Sequence, residues 1–248
     1  MNERTAIVTG SVQGIGKGIA LRLAKAGYSV AVLARSSKRY DEGAEVAAQC
    51  SELSGRRSIC VTGDISDKET CKRITAEIAD TLGTPDILVN CAGIVKYGPV
   101  DKIAEERYKE VISNNLDSAY FMIQSVVPYM KKQKYGRIIS ISSLATRSGS
   151  RGMTAYTASK AAVEAVTRSA ALELAPYGIT VNCILPGYVR TSWLDMLTEE
   201  QKKAELERIP MGRFAETEDI ANLAAFLASD EASYITSQSI AVAGGMLG

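Results

Sequence analysis

Tyr156 and Lys160 stand four positions apart in the stretch YTASK, in a 248-residue chain that contains no histidine. Histidine is the usual acid–base side chain near neutral pH. Its absence removes Ser-His-Asp and Cys-His nucleophile systems, and His-rich metal sites with them. Proton transfer is left to carboxylates, lysine, tyrosine or a cofactor. On a helix, residues i and i+4 share a face, so the phenol and the ammonium can enter one site. A free tyrosine titrates near pH 10. An ammonium about 4 Å away contributes roughly 4 kcal/mol at an effective dielectric of 20. That is about three pK units, enough to bring the phenol towards 7. Burial pushes the other way.

A second chemical signal lies at the start, where TGSVQGIG (9–16) follows a short apolar run and opens a helical stretch. Its glycines allow a tight turn and close approach of backbone to a pyrophosphate at a helix N-terminus. The spacing G-x-x-x-G-x-G is not the common dinucleotide fingerprint, and three glycines can also serve a purely structural turn. Asp64 in TGDISD follows the third apolar run. It could accept a hydrogen bond from an adenine amino group or cap the next helix, for which Ser66 or Asp67 is better placed. NCAG (90–93) ends the fourth run on a glycine, where chain can pass close to a ribose.

Positioning these groups falls to seven short runs: TAIVT (5–9), SVAVLA (29–34), SICVT (58–62), DILVN (86–90), RIISIS (137–142), ITVNCIL (179–185) and SIAVA (239–243). They are nearly continuously apolar, as strands buried on both faces are. Helical stretches alternate with them, such as 14–27 and 67–83, the latter opening on Asp67 and closing on Gly83. The class is α/β, a doubly wound, mainly parallel seven-stranded sheet of Rossmann type with helices on both faces. No linker, repeat or low-complexity segment interrupts residues 1–248, which read as a single domain. Between Gly187 and about Ile209 no strand is expected. Trp193, Leu194, Met196 and Leu197 sit there among charges, either as a flap over a ligand or as a helix pair packed on the body.

Composition narrows the partners. Lysine plus arginine is 29 and aspartate plus glutamate 28, a net charge of +1. That balance disfavours nucleic acid and lipid surfaces, which demand a basic excess. The five cysteines, at 50, 60, 71, 91 and 183, form no C-x-x-C. They read as reduced thiols, not as disulfides or metal ligands. With no hydrophobic leader and no 18-residue apolar run, the chain reads as soluble and cytoplasmic.

Taken together, TGSVQGIG, NCAG, Asn115 in NNLDSAY, Ser143 in ISISSLA, YTASK and PGYVRT (186–191) resemble the short-chain dehydrogenase/reductase family over essentially the full length. The resemblance implies a nicotinamide-dependent oxidoreductase. In it Tyr156 protonates a carbonyl oxygen as hydride arrives, or deprotonates an alcohol in reverse. Ser143 holds that oxygen. Lys160 binds nicotinamide-ribose hydroxyls, Asn115 supports a water leading from Lys160 to solvent, and the charge of an oxidised nicotinamide assists the phenol's ionisation. The implied coenzyme set is Gly10, Ser11, Gln13, Gly14, Ile15, Gly16, Arg35, Ser36, Asp64, Ile65, Asn90, Ala92, Gly93, Tyr156, Lys160, Pro186, Gly187, Val189 and Thr191. No metal is expected, and relatives imply a homotetramer. Ala243 departs from the aspartate usual at its position.

Two substrate classes compete. The scaffold resembles bacterial 3-oxoacyl-carrier-protein reductases, in which basic residues near the entrance recognise the carrier. Lys134 matches one such position, but Tyr177 stands at a second, which favours a small ketone, sugar or polyol over an acyl thioester. A non-catalytic dinucleotide-binding regulator is a third possibility, although such proteins usually lose the tyrosine or lysine. For the coenzyme, Ala34 replaces the acid that NAD-using relatives carry, and Arg35, Ser36, Ser37, Lys38 and Arg39 follow. That stretch suits a 2′-phosphate and predicts NADP(H) over NAD(H). Gln13, where NADP-using relatives often have a second basic residue, weighs against it, and Arg35 could instead stack on adenine.

Overall fold

The structure is a computed structural model that describes residues 4–192 and 194–246, so Trp193 of the expected flap lies outside the described residues. The seven apolar runs form strands β1 (Thr5–Val8), β2 (Ser29–Ala34), β3 (Ile59–Thr62), β4 (Pro85–Asn90), β5 (Gly136–Ile141), β6 (Ile179–Pro186) and β7 (Ser239–Val242). Their order is β3-β2-β1-β4-β5-β6-β7 and every pairing is parallel. The chain reverses its direction of travel between β1 and β4, the crevice where such sheets take ligands.

Nine α-helices accompany the strands among the described residues: α1 (Gly14–Lys25), α2 (Tyr40–Ser54), α3 (Lys68–Leu82), α4 (Glu105–Ile112), α5 (Ser118–Gln133), α6 (Ala145–Ser148), α7 (Thr154–Leu174), α8 (Glu199–Glu207) and α9 (Thr217–Ala228). Side chains alternate between the faces of each strand. Val30, Val32, Ile87, Val89 and Ile139 meet Ile19 and Leu23 of α1 and Ile220 and Leu227 of α9. Ala31, Leu33, Leu88, Ile138 and Val181 face Ile74, Ile78, Met122 and Val126. Both faces are covered, which explains the near-continuous apolar runs. Helix α3 begins where its sequence signals place it: the Asp67 carboxylate accepts from Thr70 N at 2.7 Å.

The segment after β6 forms a single turn (Leu194–Met196) and then α8, opened by a reciprocal cap. The Thr198 hydroxyl accepts from Gln201 N, and the Gln201 side chain accepts from Thr198 N. Leu194, Ile209 and Phe214 make a small buried cluster beneath it.

Candidate active site

A cavity of about 1320 Å³ runs along the carboxyl ends of the strands, from the glycine loop to α8. At its coenzyme-sized end, Gly10 has φ +63° and would place a Cβ 2.9 Å from Ala92 Cα. A Cβ on Gly16 would fall 2.3 Å from the Gly10 carbonyl oxygen. Backbone therefore meets backbone on both sides of the loop, and no side chain fits. Thr9 ties the two strand ends together, its hydroxyl accepting from Cys91 N and Ala92 N at 3.0 Å each. Thr191 lies opposite, 3.5 Å from where a Gly14 Cβ would stand. This cradle, with free N–H groups at the start of α1, fits a dinucleotide pyrophosphate.

Gly10, Gln13, Gly14, Ile15, Gly16, Arg35, Asp64, Ile65, Ala92, Gly93, Tyr156, Lys160, Pro186, Gly187, Val189 and Thr191 all line the cavity. Ser11, Ser36 and Asn90 do not. The Ser11 hydroxyl is fully buried, donating to Val8 O at 2.6 Å and accepting from Leu33 N at 3.0 Å, so it braces β1 against β2. Asn90 turns its amide inward towards Ser140. Ser36 is exposed outside the lining. Asp64 caps its own turn, accepting from Ser66 N and Oγ, and lies 3.6 Å from Arg35. Partial burial opposes its ionisation, but the Ser66 bonds and Arg35 together hold its carboxyl below the usual range.

Ser143, Tyr156 and Lys160 all line this same cavity. Ser143 Oγ accepts from Ala145 N at 3.2 Å, which fixes the hydroxyl at the end of β5, and it hydrogen-bonds to the Tyr156 phenol. Lys160 is buried and donates from Nζ to Ile141 O at 2.8 Å. Its ammonium is 5.9 Å from the centre of the Tyr156 ring. Of the two opposed effects expected on the phenol, attraction to the lysine and burial, burial is the larger in this structure. Burial raises the Tyr156 pKa, the Ser143 bond opposes this only in part, and burial lowers that of Lys160. At that separation desolvation outweighs attraction.

Asn115 sits in a wide helical turn, Ser113–Asp117, inserted between α4 and α5. Such bulges re-aim side chains. Its amide accepts from Ile94 N at 2.7 Å and donates to Ile94 O and Ser159 Oγ at 3.0 Å each. The side chain is committed to bracing the strand-end segment beside Gly93 and lies outside the cavity lining, whereas Asn114 and Ser118 line it.

Met196, Leu197, Gln201, Glu205 and Arg208 close the substrate end. Tyr188 donates to Glu205 across it, and burial followed by that bond pushes the phenol up to about 12. Glu205 also pairs with Arg208 at 2.8 Å. Lys134 and Tyr177 precede β5 and β6, at the amino edge of the sheet, and so lie away from this chain's own cavity. Burial lifts the Cys91 thiol to about 11, so it is no thiolate nucleophile despite lining the cavity. No group of acids and cysteines suited to a metal occurs among the described residues, and no helix among them is long and apolar enough to cross a membrane.

Sequence reasoning missed Thr9, whose strand-end position is its only signal. It also missed Glu164, buried and accepting from Ser142 Oγ at 2.9 Å. Its spacing, i+4 from Lys160 and i+8 from Tyr156, placed it on the catalytic face of α7.

A parallel sheet with a glycine cradle at its switch point and a Ser–Tyr–Lys group beside it defines a dinucleotide-dependent oxidoreductase. A family model described as enoyl-(acyl carrier protein) reductase matches residues 10–247. The chain is 41% identical over 243 residues to a 3-oxoacyl-acyl-carrier-protein reductase, FabG, of Staphylococcus aureus (strain Mu50), covering 98% of each. It is 38% identical over 246 residues to the protein of that name from Haemophilus influenzae, covering 99% of each. A solved structure from Sinorhizobium meliloti 1021, described as a short-chain alcohol dehydrogenase, superposes with a TM-score of 0.91 at 37% identity, over 99% of this chain and 97% of that one. The chain belongs to the short-chain dehydrogenase/reductase family and is an enzyme of that family.

Proposed function

We propose that this chain reduces the ketone of a 3-oxoacyl thioester with NADPH. The observation that carries the reading is the convergence of Ser143, Tyr156 and Lys160 on one cavity continuous with the glycine cradle. The coenzyme supplies the hydride. Ser143, anchored by Ala145 N, donates its hydroxyl to the substrate oxygen as negative charge develops there. Tyr156 delivers the proton to the same oxygen, its high pKa keeping it protonated at neutral pH. Lys160, with one N–H held by Ile141 O, has its other donors for ribose hydroxyls. Thr9 and Asn115 hold the two strand-end segments that would support a ribose. Ala34 and Arg35 support NADPH over NADH, since position 34 carries no acid to hold the ribose hydroxyls and repel a 2′-phosphate. Relatives named as carrier-protein reductases along the full length support the thioester.

A second reading, a small polar ketone or sugar, is favoured by the Tyr188–Glu205–Arg208 set that lines the substrate end. Purified protein with NADPH, followed at the nicotinamide absorbance, separates them. Acetoacetyl thioesters on carrier protein and on coenzyme A should exceed diketones and sugars by at least about tenfold in kcat/KM. A preference of that size for sugars would replace the first reading with the second.

A further inference from the structure

Arg39, read from the sequence only as one member of the basic stretch after Ala34 and given no contact of its own, lines the cavity beside Arg35, Gln13 and Gly14. Two contacts hold it. Its Nε and Nη2 meet the Glu42 carboxylate at 3.2 and 2.6 Å, and Nη2 also donates to Gln13 Oε1 at 2.9 Å. The Glu42 pair alone would be an ordinary surface contact between near neighbours. The Gln13 bond is different: it spans 26 residues and draws the guanidinium back over the glycine loop. Of the five guanidinium donors, three are used, which leaves the Nη1 amine without a partner among the described residues. Arg35, which also lines the cavity, is held only loosely, its Nη2 3.6 Å from Asp64.

We infer that Arg39, positioned by Gln13, is the second cation for the coenzyme's 2′-phosphate, opposite Arg35. The glutamine in the glycine loop is then no loss of a basic residue. It is a strut that recruits one from the start of α2. This rests on the NADPH reading above and adds a specificity-determining residue to it.

Binding of the adenosine half alone tests this without turnover. Calorimetry would compare 2′,5′-ADP with 5′-AMP on the wild type, Arg39→Ala, Arg35→Ala and Gln13→Ala. Arg39→Ala should weaken 2′,5′-ADP about tenfold or more, the size of a charge-assisted bond, and leave 5′-AMP within about twofold. Gln13→Ala should weaken 2′,5′-ADP less, and the two changes together should be less than additive. Retained 5′-AMP binding also shows that each variant is folded. If only Arg35→Ala loses 2′,5′-ADP, the NADPH reading stands and the Arg39 assignment is wrong. Equal loss of both nucleotides in Arg39→Ala would make it a general loop support and overturn the assignment. If the wild type binds 5′-AMP as tightly as 2′,5′-ADP, the NADPH reading falls and Arg39 with it.

Discussion

Tyr156 and Lys160 illustrate how burial decides between competing electrostatic effects. Spacing brings both to one face of α7, but Lys160 turns its ammonium to the Ile141 carbonyl, and the phenol is left to Ser143. Both groups are pushed towards their neutral forms, tyrosine upward and lysine downward. The sign for catalysis follows. Carbonyl reduction needs the protonated phenol, which is present below its raised pKa and lost above it. Alcohol oxidation needs the deprotonated form and gains from rising pH. Reduction should therefore hold a flat kcat from about pH 6 to about pH 9, while oxidation climbs through the same interval. Stopped-flow or steady-state rates in both directions check this. A reduction rate that already declines as pH rises from about 6 to about 8 would mean that the phenol titrates near neutrality, as lysine proximity suggests.

Helix α1 can start where it does because Gly16 lets it press on the Gly10 carbonyl. Gly16→Ala must move either the helix or the loop, since the clash is with backbone. The variant should lose about 1–3 kcal/mol in urea unfolding and bind adenosine nucleotides more weakly. Unchanged nucleotide affinity would show that the cradle is not the binding surface. At this scale the sequence was most legible. Continuous apolar runs marked every strand to within a residue or two, and Asp67 and Gly83 bracket α3 as their types require. What could not be read is the direction of a polar side chain at a strand end. Ser11 and Asn90 occupy coenzyme-facing segments, but their side chains turn into the protein to satisfy backbone and hydroxyl partners. Likewise, spacing could not reveal the wide turn at Asn115, because an extra residue in a helix leaves no periodic mark. Arg39 is visible as a charge in the sequence, but its bond to Gln13 arises only when β2 is laid beside β1.

Across the whole molecule, every group in the proposed chemistry reaches the same edge of one parallel sheet from a different segment: the glycine loop after β1, Arg35 after β2, Asp64 after β3, Gly93 after β4, Ser143 after β5 and Thr191 after β6. Tyr156 and Lys160 come instead from a helix interior, and α7 is long and packed along the sheet, which holds them still against the strand ends. We propose that this edge carries out hydride transfer with tyrosine as its acid and base. Tyr156→Phe removes one oxygen and leaves the packing of α7 intact, so it addresses that claim most directly. Turnover with NADPH and the best carbonyl substrate should fall at least about a hundredfold, with coenzyme affinity within a few-fold of the wild type. A Tyr156→Phe enzyme that keeps most of its turnover would show that another group moves the proton.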